Sequence, residues 1–423
     1  MKRLLPFLIT LFGLLAPAVP PAVGVTPSWL ADADDLELRG FVDARAGART
    51  GSDPYEKDVS LAETRLQLDL NWFKERAVFK FKGDLVGDAV TDKAEAAARE
   101  INLLFSPLDF VDVKLGRQIL TWGTGDLLFV NDLFPKDWES FFVGRDSEYL
   151  KAPADVLKTS LFFEAVNIDL VYAPVFNGSI FIDGSRLSYW NPNLERLAGR
   201  DFILADRERN RFLKDSEFAL RLYRNIGSVE TAIYGYSGFW KTPEGMDPAT
   251  ADLTYPRLNV WGASARGPFL AGIANIETGY YDSREDRDGG DPLVRNNEIR
   301  LLAGFEKELA VNLTGSVQYY LEWMQKYDRY RRTAGLSARD EYRHVVTLRL
   351  TRLLLNQNLT LSFFAYYSPT DEDGYLRPSI RYKITDQWAV EGGGNIFFGN
   401  ADHTFFGQFE NNSNLYAGVR RNF

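Results

Sequence analysis

Hydrophobic and polar residues alternate along most of the chain after residue 35. In "TRLQLDLNW", Leu66, Leu68, Leu70 and Trp72 recur at every second position, and the residues between them are polar. "GSVQYYLEW" and "TLSFFAYY" repeat the pattern further along. A repeat of two places successive side chains on opposite faces of a β-strand, whereas a helix repeats at three and four. The pattern therefore predicts an all-β protein.

Eighteen segments have this alternation. They lie at 36–48, 60–73, 77–86, 100–106, 110–123, 157–164, 166–176, 216–224, 229–240, 257–266, 271–281, 298–307, 311–325, 343–354, 359–367, 375–385, 388–399 and 414–423. Most approach the ~9–11 residues that a tilted strand needs to cross a bilayer.

Long polar connections alternate with short ones. The long connections lie at 49–59, 87–99, 124–156, 177–215, 241–256, 282–297, 326–342, 368–374 and 400–413. Transmembrane β-barrels combine an even number of strands with long outer loops and short periplasmic turns. We therefore predict a single antiparallel transmembrane β-barrel of about 18 strands, with 16 as the nearest alternative. A soluble sandwich or jelly roll would not need this rhythm of loops.

The first 24 residues have the three parts of a secretory signal peptide. A basic start is followed by the apolar run "LLPFLITLFGLL" and by small residues. The run is shorter than the ~20 residues of a membrane-spanning helix, which makes an uncleaved anchor the weaker alternative. We expect a cleaved signal peptide at 1–24, a short periplasmic segment at 25–35 and the barrel at 36–423, in the outer membrane of a Gram-negative bacterium.

The amino-acid composition excludes several kinds of site and argues against one class of partner. The chain has no cysteine, which excludes disulfides and thiolate metal sites, and its net charge of −9 argues against nucleic acid as a partner. Its two histidines, His344 and His403, have no serine motif beside them. We expect neither an enzyme nor a cofactor or metal site.

"GRQILTWGTGDLLFVNDLFPKDW" (116–138) is the stretch richest in motif residues. It resembles outer-membrane channels of the alginate-export porin family and related uncharacterised proteobacterial barrels, which have Gly-Arg-Gln, Trp-Gly, an acidic residue and a proline-containing loop. The matching residues, with the loop acid Asp132, are Gly116, Arg117, Gln118, Trp122, Gly123, Asp126, Asp132 and Pro135. The resemblance implies a channel whose loop folds into the lumen as a constriction, although a loop covering only the outer rim is an open alternative.

Arg117 shares the parity of Leu115, which we place toward lipid. A lipid-facing arginine at depth costs about 2–4 kcal/mol. We therefore expect a bulge at Gly116 to turn Arg117 inward, and a position above the hydrocarbon is the alternative.

Parity predicts a basic wall and an opposite acidic wall inside the barrel. The predicted channel-lining bases are Arg39, Arg45, Arg65, Lys80, Lys82, Lys114, Arg349, Arg377, Arg381, Lys383 and Arg420; the acids include Glu217, Glu230, Glu277, Glu298 and Glu322. Five tyrosines on which sugars could stack also face inward: Tyr223, Tyr234, Tyr236, Tyr320 and Tyr366.

Opposed charges favour a porin for passive or facilitated passage of small polar or anionic solutes, such as oligosaccharides or carboxylates. An exporter of a polyanion would need a uniformly basic lumen, so the resemblance does not carry over its substrate. Charges that merely hydrate an inert lumen are one alternative. A structural sleeve or docking barrel for a periplasmic or surface protein, such as a cytochrome conduit or a polysaccharide-export component, is another.

The terminal strand resembles the recognition signal that the barrel-assembly machinery reads, with Phe423 as the final aromatic residue. It departs from that signal at Arg421, where an aromatic residue is preferred. Other expected partners are outer-membrane lipid, lipopolysaccharide and small polar solutes, and the sequence indicates no oligomeric state. "DKAEAAARE" (92–100) contains helix formers and predicts a short helix in an outer loop.

Overall fold

The computed structural model describes residues 35–335 and 338–423. The predicted signal peptide and residues 25–34 lie outside the described residues. The described strands, in chain order, are β1 (Leu36–Arg49), β2 (Val59–Lys74), β3 (Ala77–Asp88), β4 (Lys93–Leu108), β5 (Val111–Gln118), β6 (Ala154–Phe162), β7 (Asn167–Ala173), β8 (Tyr189–Asn191), β9 (Arg196–Ala198), β10 (Glu217–Ile226), β11 (Val229–Phe239), β12 (Gly245–Met246), β13 (Leu253–Thr254), β14 (Arg257–Phe269), β15 (Gly272–Ser283), β16 (Glu298–Ala310), β17 (Leu313–Met324), β18 (Tyr342–Leu354), β19 (Leu359–Ser368), β20 (Asp373–Lys383), β21 (Trp388–Gly399) and β22 (Asn414–Asn422).

Eighteen of these strands form one closed antiparallel barrel, as predicted. Each pairs with the next along the chain, β7 pairs with β10 and β11 with β14, while β8–β9 and β12–β13 are short hairpins in loops. Strand β22 pairs with β1 from Asn422 opposite Phe41 to Asn414 opposite Arg49. The prediction of 18 strands is confirmed.

The barrel has an apolar outer face and a polar inner face. Leu115, Ile233 and Leu415 are 58%, 61% and 58% exposed, whereas Ala232 and Tyr416, which follow the opposite parity, are buried. Charged side chains such as Glu277 are buried inside. Apolar residues outside and polar residues inside match the alternation of a transmembrane barrel.

The long loops share one end of the barrel, called here the outer end, and Leu36, where β1 begins, and Phe423 lie at the other end. Among the described residues, these loops contain two α-helices, α1 (Trp138–Val143) and α2 (Tyr327–Thr333), and two short 3-10 helices at Ser147–Leu150 and Gly407–Asn412. The side chain of Asp137 caps α1 by accepting a hydrogen bond from the Ser140 N–H at 2.8 Å. Within residues 35–335 and 338–423, no helix has the length and apolarity to cross a bilayer.

Two of the predicted long connections are tight turns. The 87–99 loop and the 92–100 helix are wrong because β4 begins at Lys93 and pairs with β3, with Ala94 opposite Gly87 and Ala98 opposite Gly83. Backbone pairing with β3 therefore overrides the helix propensity of the alanine-rich segment. The 368–374 connection shrinks to residues 369–372.

The terminal phenylalanine takes part in closing the barrel. The Gly40 N–H donates to the Phe423 carbonyl at 3.0 Å, and the Phe423 N–H donates back to the Gly40 carbonyl at 3.0 Å. The Phe423 ring lies against Gly40, so a Cβ there would be 2.6 Å from its Cζ atom. Arg421 lies beside Trp388, with its guanidinium 5.7 Å from that ring.

We predict that Gly40→Val impairs barrel closure, because the new side chain would clash with the Gln67 carbonyl and the Phe423 ring. Overpacking of this kind costs about 1–3 kcal/mol. Gly87→Val is the matched control, because Gly87 also lies in a strand but no atom lies within 4 Å of the position that a Cβ would take there. Heat-modifiable gel mobility measures the folded fraction, and equal folding of the two variants would contradict the prediction.

Candidate functional site

Residues 119–153, named here the lumen loop, connect β5 to β6 and lie inside the barrel. Their side chains and backbone reach Glu63 on β2, Glu277 on β15, Arg349 on β18 and Arg420 on β22. These strands are distributed around the barrel, so one loop contacts all of them only from within. The lumen loop therefore crosses the lumen.

Glu277 anchors the first part of the lumen loop. Its buried carboxylate accepts hydrogen bonds from the backbone N–H groups of Thr124, Gly125 (2.7 Å) and Asn131 (3.2 Å). The Asn131 side chain adds a fourth bond at 3.0 Å. Gly123 has a φ of +77° and passes the carboxylate so closely that a Cβ would lie 3.0 Å from its oxygens. One wall carboxylate therefore fixes a complete turn of backbone.

Asp146 anchors the last part of the loop to the opposite wall. Its carboxylate lies 3.1 Å from Arg420, 3.6 Å from Arg381 and 4.0 Å from Arg45. Burial opposes ionisation of Asp146, but Arg420, the backbone N–H of Glu148, Arg45 and Arg381 together outweigh burial and lower its pKa. The loop thus supplies one negative charge to three arginines on β1, β20 and β22.

A second ionic cluster joins the lumen loop to the outer loop 174–216. Arg145 pairs with Glu63 and lies 3.3 Å from Glu139, and Arg186 of the outer loop lies 3.1 Å from Glu139. Burial opposes the charge on Arg145, but Glu63 and Glu139 outweigh it and raise the arginine pKa. Burial raises the pKa of Glu139, against the pull of the two arginines. The outer loop therefore lies on top of the lumen loop.

Apolar packing joins the lumen loop to both walls. Phe142 of α1 packs edge-on to Tyr375 and Phe397, with ring centroids 5.6 and 5.2 Å apart. In the first half of the loop, Phe134 belongs to a buried cluster with Leu258 and other residues of β6–β15. The loop is therefore a packed bridge across the lumen.

Most of the motif residues pack within or beneath this bridge. Trp122 lies edge-on to Phe134 at 5.0 Å, and Asp126 pairs with Arg349 at 2.6 Å. Asp132 pairs with Lys136 at 3.0 Å. Two further motif residues hydrogen-bond to the neighbouring chain. The Gln118 side chain donates to the Val156 carbonyl at 3.3 Å, and the Pro135 carbonyl accepts from the Ala152 N–H at 3.1 Å.

Arg117 faces outward, so its predicted inward turn is wrong. The register does not shift at Gly116, and Arg117 stands opposite the exposed Ile101 on one side and Asp155 on the other. Its Nε and Nη2 atoms lie 2.8 and 2.6 Å from the Asp155 carboxylate oxygens. A bidentate partner on the same face, at the outer end of β5, balances the charge without a bulge.

Half of the sixteen predicted channel-lining residues contact the lumen loop. These eight are Arg45, Arg65, Lys82, Arg349, Arg377, Arg381, Arg420 and Glu277. Others pair along the walls: Lys80 and Lys114 flank Glu100 at 2.9 and 3.8 Å, and Glu230 pairs with Arg221 at 2.7 Å. Arg39 pairs with Glu37, and Lys383 is exposed at the end of β20.

Charged residues of the loops, whose positions the alternation could not predict, pair with the charged residues of both walls. On the acidic wall, Lys241 pairs with Glu217 at 2.7 Å, and Arg295 pairs with Glu298 at 2.6 Å and with Glu322. On the basic wall, Asp146 acts in the same way. No strand periodicity covers these loop residues, and only the excess of one sign on each wall could have indicated that counter-charges exist.

The two histidines have different neighbours. The Nδ1 atom of His344 lies 2.7 Å from the Tyr319 hydroxyl, and the His403 ring centroid is 6.1 Å from that of Trp190. In the part of the chain that the structure describes, neither ring hydrogen-bonds to a serine or a carboxylate. The geometry therefore gives neither histidine a nucleophile or an orienting acid.

No model of a known protein family matches the sequence, and no curated protein matches it. Solved structures are similar. OccAB3 of Acinetobacter baumannii has a TM-score of 0.56 at 10% identity, with 92% of this chain and 99% of that chain covered. A mutant of the Rh. blastica porin has 0.41 at 12%, covering 92% and 100%, and Salmonella typhi OmpF in complex with daunomycin has 0.45 at 9%, covering 93% and 99%. At 10% identity the OccAB3 match extends to the fold alone, a porin-type β-barrel.

We predict that Glu277→Ala loosens the lumen loop and gives a larger, noisier single-channel conductance. Each N–H donor left unpaired costs about 1–3 kcal/mol where water cannot replace the carboxylate. Glu230→Ala is the control, because it removes the same wall charge and Glu230 contacts only Arg221 through its carboxylate. Equal conductance traces for both variants would show that Glu277 does not hold the loop.

Proposed function

We propose that the protein is a channel of the bacterial outer membrane that passes small polar solutes with a preference for anions. The closed barrel with its apolar outer face supports the location, and the lumen loop supplies a constriction. Outer-membrane lipid, lipopolysaccharide and the barrel-assembly machinery are the partners in this proposal, with Phe423 as the assembly signal.

The observation that carries the anion preference is the environment of Arg377. Its Nη2 atom lies 3.5 Å from the Arg145 carbonyl, and its guanidinium lies 4.6 Å from the centre of the Phe141 ring. Within the described ranges, no carboxylate comes within 4.0 Å of it. Arg349 and Arg377 flank Phe364 across β18, β19 and β20. Arg349 is paired with Asp126 at 2.6 Å, so the uncompensated charge of this patch is that of Arg377.

Among polar solutes, we propose small carboxylates ahead of oligosaccharides. Four of the five tyrosines on which a sugar could stack, Tyr234, Tyr236, Tyr320 and Tyr366, are buried. Tyr236 also donates a hydrogen bond to the Phe239 carbonyl at 2.9 Å. Their rings therefore offer little open surface to a sugar. The resemblance to the alginate-export family does not extend to its substrate. A polyanion would need a uniformly basic lumen, whereas loop acids balance much of the basic wall.

One observation favours a second function. The lumen loop packs through apolar residues against both walls, as expected of a barrel that is sealed and serves as a sleeve or docking partner. In that case the refolded protein would carry no current in a planar bilayer, although heat-modifiable mobility showed it to be folded. A gene neighbour encoding a periplasmic or surface partner would support it.

The test of the channel is single-channel current and reversal potential under a salt gradient. We expect discrete conductance steps and a reversal potential on the anion-selective side. Arg377→Gln should move that potential toward neutrality, because it removes the uncompensated charge. Arg39→Gln is the control, because Arg39 lies far from the loop and pairs with Glu37. Cation selectivity in the unmodified protein would overturn the proposal.

Asp146→Asn should strengthen anion selectivity, because three arginines lose their shared counter-charge. The pKa of Asp146 lies below its ordinary value of 3.8, so the ionised form binds the arginines at every pH above 3.8. That stabilisation is lost as the pH falls through the lower folded value. The difference in reversal potential between wild type and Asp146→Asn should be full above pH 3.8 and shrink below it. A difference that is unchanged by acid would contradict this assignment.

A further inference from the structure

A cavity of about 460 Å³ lies at the outer end, between the lumen loop and the loops above it. The lumen loop forms its floor with Leu127, Phe129 and Trp138, and outer loops contribute Leu204 and Phe405. The cavity therefore lies on the outer side of the lumen loop. Its size falls within the ~300–1,000 Å³ of small-molecule sites.

The lining of the cavity is amphipathic. About two thirds of the lining residues are apolar or aromatic, and the charged ones comprise five cations against three carboxylates. The cations are Lys136, Lys241, Arg295, Arg300 and Arg343. A mainly apolar cavity with a few convergent polar groups is the usual form of a ligand site. Each of the five cations is paired with a carboxylate, so an anionic head group would bind through the further N–H donors that a paired guanidinium still offers.

The arginines present their charge beside aromatic rings. Arg300 lies 4.0 Å from the centre of the Tyr281 ring, and its Nη2 atom is 2.8 Å from Glu298. Arg343 lies 4.9 Å from the centre of the Phe405 ring. Guanidinium groups stacked in this way place positive charge and apolar surface within the reach of one small molecule.

A second cavity, of about 470 Å³, adjoins the first at the outer end. It is more polar, and the residues that line both cavities are Arg295, Glu322, Arg343, Phe405 and Gln408. These shared residues form the boundary between a polar antechamber and the apolar cavity. A solute that crosses this boundary places its apolar part on the lumen loop while its head group remains near the arginines.

We propose that the apolar cavity is a binding site for amphipathic organic anions, each with one acidic group and an alkyl or aryl body. The inference rests on the proposed channel function and deepens it, because Arg377 and the lumen wall would select charge without regard to the body of the solute. Binding here would favour solutes by the apolar surface that they bury against the loop.

The test is block of single-channel current by butane-, hexane- and octanesulfonate, which stay ionised and do not cross the bilayer. In an apolar cavity each added CH₂ contributes ~0.8 kcal/mol, about fourfold in Kd. We expect block to strengthen with chain length by up to about 200-fold from butane- to octanesulfonate, from the outer side only. Calorimetry in lipid nanodiscs, with empty nanodiscs as the blank, measures the same series if no current flows.

Phe405→Ser should weaken the chain-length dependence several-fold, because Phe405 lines both cavities. Phe202→Ser is the matched control: Phe202 is 43% exposed against 45% for Phe405 and does not line the cavity. Anion selectivity with equal affinity for all three sulfonates would overturn the cavity proposal and leave the channel intact. Chain-length-dependent binding without current would overturn the channel and leave the site, and dependence that is unchanged in Phe405→Ser would place the site elsewhere.

Discussion

The structure depends on satisfying every backbone hydrogen bond of a sheet whose outer face is apolar. In hydrocarbon an unpaired strand edge costs several kcal/mol per group, so the first and last strands must pair. The reciprocal bonds between Gly40 and Phe423 extend that pairing to the final residue of the chain. The Phe423 ring also covers the backbone at Gly40, where no side chain is present to shield it from lipid. Closure of the barrel therefore includes Phe423.

Closure creates a second constraint inside. A cylinder of 18 strands is too wide for its own inward side chains to fill, and many of those side chains are charged. The lumen loop resolves both problems. Its aromatic residues fill space against both walls, and Asp126 and Asp146 place counter-charge beside wall arginines. Because burial penalises an unpaired charge more than a paired one, the walls and the loop must have complementary charges. Arg377 is an exception to this complementarity, because neighbouring wall arginines such as Arg349 and Arg381 are paired with loop acids.

Sequence periodicity predicted the strands well because successive residues of a strand point to alternate faces. The same reasoning failed where a local preference competed with pairing. The alanines of residues 92–100 favour a helix in isolation, yet they extend β4 against β3. The prediction for Arg117 was wrong because the alternation predicts the face on which a residue lies but not its partner on the next strand, which here is Asp155. The sequence could not predict the anchors of the lumen loop for a different reason. Glu277 accepts a hydrogen bond from a backbone group 152 residues away, and no local pattern encodes such a contact.

The apolar cavity and the charged wall also differ in the physics of their selectivity. Interactions with the lumen arginines are electrostatic, and salt screens them beyond a Debye length of ~8 Å at physiological ionic strength. Burial of an apolar body against Leu127 and Phe129 is not screened, and salts that are excluded from protein surfaces strengthen it. In the proposed channel, two sites in series with opposite responses to salt would hold an amphipathic anion at the outer end when the wall charge is screened. The outer cavity would then concentrate the solute above the constriction, and the wall would determine which charge passes.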